Sequence, residues 1–233
     1  MSQIVFDNVT YTFPNGTKAV DRVSFVVDEG EFIFLVGPSG SGKTTLLRLL
    51  LREILPTQGK ILLDGEEVSK KKGVSTEKAR RKIGASFQDS KLLLDRTIEE
   101  NIALSMEIVG KKSSEIKESV QAVLDLVGLS DKAEMFPAQL SGGEIQRAGI
   151  ARAVVGDPII IFADEPTANL DEEAMWKIIS LVKEINRSGK TTIVATHNAE
   201  VVASMGERVL RLEKGKLVED TKTKKEKKET KKK

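Results

Sequence analysis

Along this chain, short and wholly apolar runs alternate with longer stretches of helical period. "EFIFLVG" and "PIIIFAD" carry no polar interruption, which reads as strands buried on both faces. "KTTLLRLLLREIL" follows the first and "EEAMWKIISLVKEINRSG" the second. Their apolar residues recur every three or four positions and predict helices, the second closed by Gly189. "KIGASFQD" and "KTTIVAT" are further short strands, "GKILLDGEEV" turns back at Asp64-Gly65, and "RVLRLEKGKLV" adds two strands after a short helix. From "RTIEENIALSMEIVG" to "SSEIKESVQAVLDLVGL" the period is helical, broken at Gly110 and Gly128. Residues 92–139 therefore predict a helical insertion, and a helix over 142–156 follows it. Strands alternating with helices imply a mostly parallel α/β sheet covered on both faces. There is no internal repeat.

Composition narrows the class. A chain of 233 residues with 39% apolar and 31% charged residues suits a soluble globular protein of one large domain. Without cysteine it can form neither disulfides nor thiolate metal sites, which fits a reducing cytoplasm. No apolar run reaches membrane-span length, and "MSQIVFDNVT" lacks the basic-then-apolar layout of a signal peptide, so a cytosolic protein is expected. Charge is uneven. Residues 221–233, "TKTKKEKKETKKK", hold eight lysines and two glutamates. Subtracting that +6 from the chain's +2 leaves −4 for residues 1–220, which argues against general nucleic-acid binding. The tail has no apolar residue and is expected to be disordered. It is either simply solvated or attracted to anionic lipid at about 1 kcal/mol per lysine.

The chemistry begins at Gly37-Pro38-Ser39-Gly40-Ser41-Gly42-Lys43-Thr44, a full G-x-x-x-x-G-K-[ST] between a predicted strand and a predicted helix, running on into Thr45. Its glycines let backbone N–H groups curl around phosphate oxygens, and the helix start adds partial positive charge. Lys43 is expected to reach the β- and γ-phosphates, and Thr44 to hold Mg²⁺. The strand "IIIFADEP" ends in Asp164 and Glu165. A buried strand rarely ends in two acids unless they meet a cation or polar ligand. Asp164 suits a magnesium carboxylate and Glu165 a base for an attacking water. His197, the only histidine, ends "TTIVAT" in the same way, where an imidazole could donate to the γ-phosphate or the water. Gln88 ends "GASFQ", and its amide could both ligate Mg²⁺ and orient water. In an open parallel sheet, ligands sit at such strand ends.

A second helix start, "LSGGEIQRAGIARA", stands at Ser141. The ordered set of Gly37–Thr44, Gln88, LSGGE at 140–144, Asp164-Glu165, "NLD" at 169–171 and His197 resembles the ATP-binding cassette (ABC) ATPases over residues 3 to about 217. The resemblance implies a P-loop NTPase with a RecA-like core, an antiparallel β part and a helical subdomain, in one domain spanning 1–220. It implies head-to-tail homodimers that form on ATP binding. In them Ser141, Gly142, Gly143 and Glu144 of one subunit meet the ATP held by the other, and Asp171 lies in the loop crossing the interface. The alignment also implies adenine stacking on Phe13, with Tyr11 nearby as the alternative, and ATP and Mg²⁺ as cofactors. "LLLDRT", "KAEMFPAQLSGGEIQRAGIARAVV" and "TTIVATHNAEVV" are similar to the cell-division branch of the family. Its members pair with an integral membrane FtsX-like permease, meeting it near Gln88. They act peripherally on the cytoplasmic face of the inner membrane, signalling to cell-wall hydrolases. A lipoprotein-release or macrolide-efflux ATPase is the alternative, with the same chemistry. An SMC/Rad50-type ATPase needs a long coiled coil that the 52 positions between Gln88 and Leu140 cannot hold.

Overall fold

The computed structural model describes residues 2–70 and 74–222, so the lysine-rich tail lies outside the described residues from 223 onward. The described residues form two compact units, one from those up to Arg80 together with those from Thr191 to Lys222, the other from residues 81–190. In the first unit, β1 (Ser2–Thr12) and β2 (Lys18–Asp28) form an antiparallel pair in which Phe6 and Phe25 stack with centroids 4.6 Å apart. Then come β3 (Phe32–Val36), α1 (Lys43–Leu50), β4 (Gln58–Leu63), β5 (Glu66–Glu67) and α2 (Thr76–Arg81). β1, β2, β4 and β5 make one antiparallel sheet in the order β2-β1-β4-β5. Asp64 and Gly65 both take positive φ (50° and 74°), the turn that suits a right-twisted hairpin.

α1 is shorter than its apolar pattern suggests. Leu46, Leu47, Leu49 and Leu50 are buried all round it, but Leu51 caps the helix and Arg52 turns left-handed at φ 52°. Neither the long β1–β2 pair nor α2 is read from the apolar pattern.

In the second unit, β6 (Ile83–Ser86) leads into α3 (Ile98–Ile108), α4 (Ser113–Val127) and α5 (Gly142–Val154), then β7 (Ile160–Asp164) and α6 (Glu172–Arg187). β6 and β7 pair in parallel, with Ser86 opposite Ala163. All five residues of β7 are buried, as its uninterrupted apolar run requires. α6 buries Met175, Ile178, Ile179, Val182 and Ile185, one face of an amphipathic helix. The helical insertion is α3 and α4, closed by Gly110 and Gly128 at positive φ as expected. α3 starts in a capping box between Thr97 and Glu100.

The chain returns to the first unit through β8 (Thr191–Thr196), α7 (Ala199–Met205), β9 (Arg208–Glu213) and β10 (Lys216–Asp220). β3 lies between β8 and β9, parallel to both, and β10 pairs antiparallel with β9. Arg208 fastens this end: it donates to both oxygens of Glu31 at 3.0 Å, to both oxygens of Asp220 at 2.9 and 2.6 Å, and to the Val26 carbonyl. No described helix is long and apolar enough to cross a membrane.

Candidate functional site

The phosphate loop lies where a buried strand hands over to a buried helix. β3 ends at Val36, and the loop 37–42 leads directly into α1. Gly37, Gly40 and Gly42 all take positive φ, and two of them are also sterically required. A Cβ on Gly37 would stand 2.2 Å from the Leu212 carbonyl oxygen, and one on Gly42 would stand 2.6 Å from that of Ala19. Pro38, Ser39 and Gly40 are exposed at the crest, with Ser41, Gly42 and Lys43 buried beneath it. The Lys43 ammonium folds back into the loop and donates to the Gly37 and Pro38 carbonyls at 2.8 and 3.4 Å. α1 has no side-chain cap and no acid in its first turn. A helix start with no acid in its first turn suits an incoming anion.

His197 belongs to the same half. β3 and β8 pair in parallel with Val36 opposite Thr196, so Gly37 and His197 follow directly from matched positions at neighbouring strand ends. His197 is exposed. Thr44 and Thr45 lie in the first turn of α1, Thr44 exposed and Thr45 half-buried. Phe13 lies just past β1 rather than on it, and its ring meets Tyr11 edge-on at 5.1 Å. The two aromatics thus form one half-buried cluster.

The second unit gathers the other residues at its own strand ends. β6 and β7 finish side by side, so Gln88 and the pair Asp164-Glu165 emerge from neighbouring parallel strands. Asp164 closes the apolar β7 at 6% exposure, and Gln88 is exposed. Glu165 is half-buried and left-handed at φ 50°, and the exposed Asn169 is left-handed at φ 61°, in the loop that runs to Asp171. Asp171 caps α6 by accepting from the Ala174 N–H at 2.8 Å.

The helix start at Ser141 differs chemically from that of α1. Ser141 is the N-cap of α5, and S-x-x-E here is a complete capping box. The Ser141 N–H and hydroxyl both donate to Glu144 at 2.8 Å, and Lys132 stands 2.9 Å from the other oxygen of that carboxylate. The Ser141 N–H, then Lys132 and the Ser141 hydroxyl, hold the Glu144 carboxyl down to about 2. Gly142 is exposed and Gly143 half-buried. A Cβ on Gly143 would stand 3.2 Å from that of Ala174, a tight fit at the start of α6. Lys132 was not among the residues singled out from sequence, because twelve positions separate it from its partner.

Each unit carries oxygens of the kind a divalent cation takes: the Thr44 hydroxyl in the first, the Gln88 amide and the Asp164 carboxylate in the second. Among the described residues no group of three or more His, Cys, Asp and Glu could hold a metal by itself.

Residues 20–168 match the ABC transporter family. The chain is 45% identical over 217 residues to the cell division ATP-binding protein FtsE of Bacillus subtilis, covering 93% of this chain and 95% of that protein. The FtsE of Escherichia coli K12 is 44% identical over 214 residues, covering 92% and 96%. Among solved structures, the ATP-binding cassette MJ0796, a dimer in a post-hydrolysis state bound to ADP and Pi, is similar with a TM-score of 0.84. It shows 34% identity and coverage of 93% of this chain and 97% of that one. The protein cbiO1 of Clostridium perfringens, part of the ABC transporter complex cbiONQ, gives a TM-score of 0.86 at 26% identity, covering 94% and 88%. These relatives favour the cell-division reading over the transport alternative. A complete phosphate loop, an LSGGE helix start and this likeness along nearly the whole length agree: the chain belongs to the ABC transporter family of ATPases, in its FtsE cell-division branch.

Proposed function

We propose that this ATPase binds and hydrolyses ATP with Mg²⁺ in cell division, dimerising on ATP and passing that change to a membrane partner. The observation that carries the reading is the phosphate loop, with its ammonium drawn into a glycine-lined turn that leads into a helix with no acid in its first turn. Gly37 to Thr45 and Lys43 hold the phosphates, and Phe13 or its neighbour Tyr11 stacks on adenine. A bound Mg²⁺ would neutralise phosphate charge, and Thr44, Gln88 and Asp164 offer the oxygens to hold it. Glu165 accepts a proton from the attacking water, which Gln88 and His197 orient. Ser141, Gly142, Gly143 and Glu144, with Asp171, serve the nucleotide of the opposing copy.

Residues 1–220 form the ATPase domain, with the helical subdomain at 92–139. The partner is an FtsX-like integral membrane permease that passes the signal to cell-wall hydrolysis. The ATPase sits peripherally on the cytoplasmic face of the inner membrane. Glu165→Gln tests this reading by light scattering and turnover with ATP and Mg²⁺. We expect a stable dimer with ATP but not ADP, and turnover reduced at least 100-fold, on the order of other lost general bases. Undiminished turnover removes Glu165 as the base, and a monomer in ATP removes the dimerisation step.

A further inference from the structure

Gln88 is exposed, so its aim is set by the backbone of its loop. That backbone is unusual: Ser90 and Lys91 are consecutive non-glycine residues at φ 49° and 48°. L-residues hold this conformation only where their surroundings fix it. Here the surroundings are one face of α5. Gln146, buried, accepts from the Ser90 hydroxyl at 2.6 Å and donates to the Phe87 carbonyl at 3.4 Å. Six residues on, Arg152 donates to the Ser90 and Lys91 carbonyls at 2.5 and 2.7 Å. Between them Gly149 leaves room for the approach, since a Cβ there would stand 3.1 Å from the Cβ and Oγ of Ser90. β6 is held as closely: a Cβ on Gly84 would stand 2.1 Å from the Ala153 carbonyl oxygen.

We propose that Gln146 and Arg152 are positioning residues for Gln88, fixing its loop to the helix that begins at Ser141. This rests on the catalytic reading of Gln88 given above. Bonds to both sides of Gln88, at Phe87 and at Ser90-Lys91, leave its backbone little freedom. α5 is a single run of 13 residues, about 20 Å long. A displacement of its Ser141 end therefore carries the Gln88 loop with it. Arg152 faces carbonyl oxygens in these bonds, so it acts as a two-pronged donor that a lysine replaces only in part.

The test measures turnover of the full chain across ATP concentration for Gln146→Leu, Ser90→Ala and Arg152→Lys, each alone and combined with Gln88→Ala. Thermal unfolding is recorded for every variant. Gln146→Leu and Ser90→Ala are expected to lower kcat about tenfold with KM for ATP within about twofold, and to add nothing once Gln88 is alanine. Arg152→Lys keeps one donor and loses less. Ser90→Ala removes the same buried bond without altering α5, and so serves if Gln146→Leu does not fold. Unchanged kcat in both, or losses that multiply with Gln88→Ala, overturns the proposal and leaves the role of Gln88 standing. A Gln88→Ala variant with undiminished turnover removes that role instead, and the positioning role with it.

Discussion

Replacing Glu144 by alanine removes three interactions at once: bonds from the Ser141 N–H and hydroxyl, and the Lys132 ion pair. A carboxyl held at about 2 against an ordinary 4.5 sets a linkage ceiling of about 3 kcal/mol. The side chain is still 19% exposed, and water screens the pair, so about half of that, ~1.5 kcal/mol, is the expected loss. For a chain of this size that lowers Tm by about 3–6 °C. The sign follows from a depressed acid: the stabilisation is fully present above pH ~4.5 and fades as pH falls toward 2. The gap between wild type and Glu144→Ala, measured by thermal unfolding, should shrink by about 40% between pH 6 and pH 3.5. Glu144→Gln keeps an acceptor for the capping bonds but not the charge, so its gap from wild type should shrink over the same pH range as that of Glu144→Ala. A gap that stays flat from pH 6 to 3.5, or a glutamine variant as stable as wild type at pH 6, would refute the electrostatic account of this helix start.

Two further outcomes follow from the first unit. Gly42→Ala forces a Cβ to 2.6 Å from the Ala19 carbonyl at φ 111°, and should weaken nucleotide binding at least tenfold, read by fluorescent ATP titration. Phe13→Ala and Tyr11→Ala, titrated in the same way, should divide unequally. The residue that stacks on adenine loses about tenfold in affinity, in line with 1–3 kcal/mol per stacked base, and its neighbour loses less than threefold. Equal, small losses would exclude stacking at this cluster.

Much of the architecture was legible because its signals are local. β3 and β7 are apolar runs, and the turns at Gly110, Gly128 and Gly189 are marked by the residue that tolerates positive φ. The β1–β2 pair was harder to read because bulges break its alternation. β1 buries Ile4 and Phe6, then skips to Val9 across the left-handed Asn8. β2 buries Val20, then resumes at Val23 across the left-handed Arg22. Side-chain hydroxyls serve the backbone at both places, Ser24 accepting from the Asn8 N–H and Thr10 from the Arg22 N–H. α1 stops early because Arg52 turns left-handed, which no propensity announces. At the site, the candidate residues were proposed from a motif, a strand end or, for Phe13 and Asp171, the family resemblance. The partners that hold those residues were not, because they join distant positions. Gln146 and Ser90 are 56 residues apart, and no period links them.

The bulges have a consequence for how copies of this chain can meet. β2 is the outer strand of its sheet, and an outer strand with free N–H and C=O groups invites a second chain to add on. Here its backbone is kinked at Arg22, and next to the kink the Asp21 N–H is already bonded to the Gly215 carbonyl from the β9–β10 turn. At the opposite edge β5 is only two residues long. Neither border offers a straight template for extending the sheet, so crowded copies are steered away from fibre-like growth and toward contacts made by side chains and loops.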